Sequence, residues 1–186
     1  MLTLPPIPSH ILTRAKTLHS QAHTSGGWRG SITQGEGLQC GIVGEALVQD
    51  ALSAEDIMCV RVNEPDYDLV AEDVRIEVKT TRQESPEIRP HYNAHIEHRG
   101  RRGLMQQACD VYVFCRVTSD CTHGAIVGWA LHWDVYGRGR WELQKAGEQM
   151  GSGRKSTADN WVLPISKLAQ PNLLPDYIRY WSKKSF

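Results

Sequence analysis

Asp68, Glu77 and Lys79 stand within one short stretch, Pro65-Asp66-Tyr67-Asp68-Leu69-Val70-Ala71-Glu72-Asp73-Val74-Arg75-Ile76-Glu77-Val78-Lys79. A two-residue turn at Glu72 and Asp73 pairs Ala71 with Val74 and sets Asp68 opposite Glu77. Side chains two apart on a strand share a face, so Lys79 joins Glu77. Like charges directly opposite on a ladder destabilise it, with Cβ atoms about 5 Å apart. A divalent cation is the natural compensation, because Mg²⁺ prefers carboxylate and water oxygens. A bound metal activates water for hydrolysis, and an ammonium beside it holds the nucleophile or stabilises developing charge. That is the chemistry of a metal-dependent phosphodiesterase. The plainer reading is a surface hairpin of alternating charge, in which Lys79 pairs with Asp66 across the same register.

The elements that must position these residues can be read from hydrophobic period. Ile42, Val43, Ala46 and Leu47 make the buried stripe of a helix beginning near Gly41, with Glu45 at its margin. Ile57–Val62 reads as a strand, followed by the hairpin over 67–79. Val111–Val117 and Ala125–Trp133 are two further strands rich in β-branched and aromatic residues, which places Trp129 and Trp133 on a strand. The Gly-rich, polar stretch from Gly137 to Asn160 is expected to loop outward, and Trp161-Val162-Leu163 forms a last short strand closed by Pro164. Residues 1–37, punctuated by Pro5, Pro6 and Pro8, read as an N-terminal appendage with a short helix capped by Ser9. Residues 38–186 are expected to form a single domain, and the 186-residue chain is long enough for a sizeable core. Helices and strands in this order predict an α/β fold around a mixed sheet.

With the motif on these elements, the chain resembles the PD-(D/E)xK nuclease superfamily. The matching residues are Asp68 as the first acid, with Asp66 competing for that place, and Glu77-Val78-Lys79 as the tripeptide. The segment Gly41-Ile42-Val43-Gly44-Glu45-Ala46-Leu47-Val48 is similar to the helix preceding the hairpin, whose further acid is then Glu45. Gln106 and Gln107, ahead of Cys109-Asp110-Val111-Tyr112-Val113-Phe114, are similar to the later helix and core strand. The likeness spans about residues 38–168, and the order of elements carries more of it than the short motif. It implies a restriction-endonuclease-like core, a mixed β-sheet flanked by helices in αβββαβ order. It further implies an endonuclease that hydrolyses DNA phosphodiester bonds. Asp68, Glu77, Glu45 and the carbonyl of Val78 would hold Mg²⁺, with Mn²⁺ as a substitute, and Lys79 would position or deprotonate the attacking water. Gln106 or Gln107 would orient a phosphate oxygen or a water. The alternative is a catalytically inactive nucleic-acid-binding or assembly module of the same fold.

Two basic segments are candidates for phosphate contacts. Arg82, Arg99, Arg101 and Arg102 follow the hairpin, interleaved with His91, Tyr92, His95 and His98. Arg138 and Arg140 lie with Trp141 in the Gly-rich stretch, and Trp141 and Trp28, each flanked by glycine and arginine, are candidates to stack on a base. On composition alone each run is more often a solvated face than a ligand site; the first directly follows the acidic hairpin, which favours the phosphate reading. The histidine spacing would suit zinc on a helix, but Pro90 and Gly100 bracket it. Gly151-Ser152-Gly153-Arg154-Lys155-Ser156 lacks the spacer of a phosphate loop, which excludes that class of nucleotide hydrolase.

Composition sets outer bounds. Charged residues are 23% and net charge is zero, so the global basic field of many nucleic-acid binders is missing. Five cysteines, odd in number and without framework spacing, suggest free thiols. No signal-peptide pattern and no membrane-length apolar run occur, so a cytoplasmic protein is the expectation. Paired cuts in duplex DNA would favour a homodimer.

Overall fold

The computed structural model describes residues 2–24, 36–62, 64–89, 91–97, 107–137, 139–149 and 155–183. The central sheet has five strands in the order β2-β3-β4-β7-β8. They are β2 (Cys59–Arg61), β3 (Leu69–Ala71), β4 (Val74–Gln83), β7 (Val111–Thr118) and β8 (Gly124–Leu131). Only β4 and β7 run parallel, so the sheet is mixed and the fold α/β. β3 and β4 meet in the expected hairpin, Ala71 opposite Val74. The two-residue turn between them holds Glu72 in the left-handed region at φ 51°.

Alternation along β4 and β7 divides the core. Val78, Val111, Val113 and Cys115 face one way and pack beneath α2 (Glu36–Ser53) through Val48 and Leu52. Leu174 and Ile178 of α4 (Leu174–Ser182) join the same cluster. Tyr112 and Phe114 face the other way. They are covered by β6 (Asn93–Glu97), β10 (Asn160–Pro164) and β9 (Glu142–Gln144), a second antiparallel sheet that contributes Ala94, Ile96 and Leu163. α1 (Ser9–Thr24) lies on α2, with Ile7, Ile11 and Ala15 buried among Ile42, Val43 and Val117. The described part of segment 1–37 therefore contributes to the core. A two-residue ribbon, β1 (Leu2–Thr3) with β5 (Glu87–Ile88), ties it down further.

Two expectations need correction. Trp133 is not on a strand: β8 ends at Leu131 and the chain turns into α3 (His132–Gly137), leaving Trp133 47% exposed. Asp134 in the first turn of α3 suits the helix dipole and is buried against Arg140. The Gly137–Asn160 stretch does not simply loop outward, because β9 pairs with β10 inside it. Burial of the large Trp141 indole, 3% exposed against Phe114, outweighs its glycine-rich flanks, and so removes Trp141 as a base-stacking residue. The helix expected just ahead of β7 falls largely outside the described residues, and those described earlier in this interval form β5 and β6. Gln107 precedes β7 without helical geometry, and Gln106 lies outside the described residues.

No helix among the described residues is long and apolar enough to cross a membrane.

Candidate active site

β4 is ten residues long, but β3 pairs only with its first three. Beyond that point no strand among the described residues pairs with the β3 side of β4, and the acids gather at this opening. Asp68 is the residue just before β3. Its N–H donates to the Ile76 carbonyl at 2.9 Å, and its own carbonyl accepts the Val62 N–H at 2.9 Å. Fixed between neighbouring strands, Asp68 turns its carboxylate onto the Val78 N–H, with Oδ2 accepting at 2.8 Å. The ladder therefore ends at Leu69 and Ile76, and a side chain takes the next position. Of the two competing aspartates, Asp68 is the one that reaches β4.

Glu77 and Lys79 share a face of β4, as the alternation requires, and the Lys79 Nζ donates to Glu77 Oε1 at 2.6 Å. Lys79 is thus held by Glu77, not by Asp66. Both sit on the Tyr112 and Phe114 side of the sheet, opposite those residues in register. Glu77 is almost fully buried, and Lys79 keeps about a quarter of its side-chain surface, 28%.

Glu45 comes from α2, one turn before Gln49. Two features bring that helix close. Gly44 lies over Thr80 and Cys115, and Gln49 Nε2 donates to the Cys59 carbonyl at 3.1 Å. The Glu45 carboxylate is 6% exposed and is held by Arg61 of β2. Arg61 escaped the sequence reading. Its signal was nonetheless present: Ile57, Cys59 and Arg61 share one face, and a cation on a core-facing face needs a carboxylate.

The electrostatics join the three acids into one centre. Burial raises the Asp68 carboxyl well above its ordinary value, and the charges of Glu77 and then Glu45 push it further. The Val78 hydrogen bond and Lys79 oppose this without cancelling it. Burial also raises Glu45, against the pull of Arg61. Burial lowers the Lys79 ammonium, but Glu77 and then Asp68 outweigh it and hold it above its usual value. Three carboxylates face two cations here, Arg61 and Lys79, so one negative charge is left over when all are ionised. Charge thus fits a bound cation. The geometry fits less directly: no three His, Cys, Asp or Glu side chains among the described residues converge closely enough to hold a metal. Each acid is instead turned to a partner, Glu77 to Lys79, Glu45 to Arg61 and Asp68 to Val78.

Comparison with protein-family models, with curated proteins and with solved structures found no match for this chain.

The remaining candidates are dispersed. Arg82 is on β4, three residues past Lys79, and alternation puts it on the opposite face. Arg140 is engaged by the buried Asp134. Gln107 lines a groove beside Asp110 and His132. Arg99, Arg101, Arg102 and Arg138, like Trp28 and His98, lie outside the described residues. His91 and His95 are on no helix, and His95 belongs to β6, so the helical zinc spacing does not arise. Cys109, Cys115 and Cys121 are buried free thiols, consistent with small core residues. Burial raises Cys109 to about 12, which leaves it a protonated thiol beside the acids.

Proposed function

We propose that this chain is a metal-dependent deoxyribonuclease with a restriction-endonuclease-like core, cutting DNA phosphodiester bonds at Asp68, Glu77, Lys79 and Glu45. The observation that carries the reading is the uncompensated carboxylate charge at the open edge of β4. Acids from three separate elements meet here, α2, the start of β3 and β4: the charges of Glu77 and Glu45 raise the proton affinity of Asp68, and that of Glu77 adds to the burial that raises Glu45. Such an arrangement is destabilising unless a proton or a cation is taken up.

Asp68, Glu77 and Glu45, with the Val78 carbonyl, would hold Mg²⁺, and Mn²⁺ would substitute because it accepts the same oxygen donors. When bound, the ion would supply a water nucleophile at neutral pH and Lewis-acid polarisation of the phosphoryl oxygen. Lys79 carries a proton and lies at hydrogen-bond distance from Glu77. Its role is to hold an anionic oxygen, either the nucleophile or a phosphoryl oxygen, rather than to abstract a proton. Arg61 competes for Glu45, and so sets how readily that carboxylate is released to a ligand.

A second reading is a non-catalytic nucleic-acid-binding or assembly module of the same fold. It is favoured by the fact that each acid already has a protein partner. Cleavage of supercoiled plasmid and labelled single-stranded DNA in Mg²⁺, Mn²⁺ or EDTA separates the two, with Lys79→Ala purified in parallel. Metal-dependent cutting lost in that variant supports the nuclease. A folded Lys79→Ala protein that cuts at the parent rate overturns the role of Lys79, and no cutting together with no metal-induced thermal shift favours the module.

A further inference from the structure

A groove of about 290 Å³ opens at the end of the sheet where β4 and β7 begin, lined by Arg75, Asp110, His132, Trp133, Tyr177 and Trp181. Three features of it stand together. Its walls are flat aromatic rings on α3 and α4, and two of them remain substantially exposed, Trp133 at 47% and Trp181 at 41%. The Trp181 indole stacks on Tyr177 with ring centroids 6.0 Å apart, at 19° between planes.

The floor is polar and rigid. Arg75 Nε and Nη2 donate to the two oxygens of Asp110, at 3.0 and 2.8 Å, and its backbone N–H donates to Asp110 as well. A guanidinium so fixed uses two of its N–H groups on Asp110 and keeps the others for a ligand. His132 Nε2 is buried without a hydrogen-bond partner.

The groove also adjoins the acids. Arg75 shares the β4 face of Glu77 and Lys79 and precedes Glu77 by two residues, about 6.6 Å along a strand, which is of the order of one nucleotide step. Cys109, which lines the groove, lies within electrostatic reach of Glu77 and Lys79.

Flat aromatic walls, a fixed cation and hydrogen-bonding edges one step from a phosphodiester site fit a nucleobase better than a protein side chain. We infer that this groove is a nucleobase subsite, so that the substrate presents an unpaired base beside the phosphodiester bond that is cut. The inference rests on the nuclease reading for its adjacency to chemistry and assigns that enzyme single-stranded or locally unpaired DNA.

Fluorescence anisotropy with a labelled single-stranded 12-mer tests it in EDTA, against a 12-mer of the same length with abasic residues at its centre. Base stacking on an aromatic side chain contributes about 1–3 kcal/mol, so the abasic strand should bind roughly tenfold more weakly. Trp133→Ala and Trp181→Ala should weaken the base-bearing strand similarly and leave the abasic strand unchanged. Trp133→Leu keeps apolar volume without a ring plane and serves if the alanine variant misfolds. Equal binding of both strands, or variants that bind like the parent, overturns the subsite even if metal-dependent cleavage is present. Base-dependent binding lost in the variants without any cleavage supports the subsite and overturns the nuclease instead. A concentration-dependent dimer in sedimentation velocity that the tryptophan variants disperse would assign the groove to a second copy of the chain, and would also overturn the proposal.

Discussion

The Asp68 carboxylate accepts the Val78 backbone N–H at 2.8 Å, placing a side chain where the hairpin would otherwise continue. This bond separates the two jobs of Asp68. Asp68→Asn keeps an acceptor oxygen for Val78 and removes one charge from a repelling cluster. Its melting temperature in EDTA should equal or exceed the parent's, while the Mg²⁺-induced rise in melting temperature shrinks. Asp68→Ala leaves the Val78 N–H without its acceptor and should lose about 1–3 kcal/mol. Thermal melts of both variants, with and without Mg²⁺, check this. An asparagine variant as unstable as the alanine variant would show that charge repulsion is not what Asp68 contributes.

The same cluster fixes a pH dependence. Asp68 is raised by burial, Glu77 and Glu45, and Glu45 is raised by burial. A carboxyl raised on folding binds its proton more tightly in the native state. Its stabilising contribution is present in full below the unfolded value, 3.8 for Asp68, and is lost as pH rises through the higher folded value. In EDTA this cluster should therefore add stability as pH is lowered from neutral toward about 5, against the loss from His95 and His132, whose protonation burial disfavours over the same range. Asp110, held low by Arg75 despite its burial, works in the opposite sense, but in the window below 3.8. Denaturant melts at a series of pH values check the slope above that window, and Asp68→Asn should flatten it. Mg²⁺ should flatten it too, since a metal competes with the proton for the same oxygens.

The hairpin was legible because its information is local. The turn at Glu72 and Asp73 and the period of two fix which side chains share a face, and Glu77 with Lys79 follows directly. The early end of the ladder at Leu69 was not legible, because it depends on Val62 and Ile76 holding the Asp68 backbone. Arg61 lies 16 residues from Glu45, and only the packing of α2 on the sheet brings them together. Trp133 carries strong β-propensity, yet the Asp134–Arg140 pair and the end of β8 draw it into α3. Trp141 looked like a loop residue for the same reason that Gly137–Asn160 looked like a loop: the second sheet that buries it forms between strands far apart in sequence.

Gly44 sets the approach of α2, and hence the position of Glu45. A Cβ there would collide with Thr80 Oγ1 and lie 3.2 Å from Thr80 Cβ and 3.3 Å from Cys115 Cβ. Gly44→Ala should destabilise by about 1–3 kcal/mol through overpacking, even though alanine favours helix. The Thr80 hydroxyl is buried without a partner, so Thr80→Ala removes both the clash atom and an unsatisfied group. The double variant should recover part of the loss, and a double-mutant cycle from urea melts measures the coupling. Strict additivity would mean that the helix does not bear on Thr80 in solution.

Arg61 holds Glu45 in a nearly buried pair, and removing it exposes what the acids do to one another. Arg61→Met leaves Glu45 facing Glu77 without compensation. Losing one partner of a buried pair costs about 3–5 kcal/mol, and the lower end applies because Arg61 keeps 22% of its side-chain surface exposed. Glu45 escapes part of that cost by taking up a proton. The destabilisation should therefore be largest above neutral pH and shrink as pH falls toward 5. Mg²⁺ should act in the same direction as the proton: with Arg61 gone, Glu45 is free to serve a cation. The metal-induced thermal shift of Arg61→Met should then exceed the parent's, approaching the roughly 2.7 kcal/mol expected at a hundredfold excess over Kd. A variant that loses stability equally at every pH and responds to Mg²⁺ no more than the parent would mean that Arg61 supports the fold alone and has no part in governing the acidic centre.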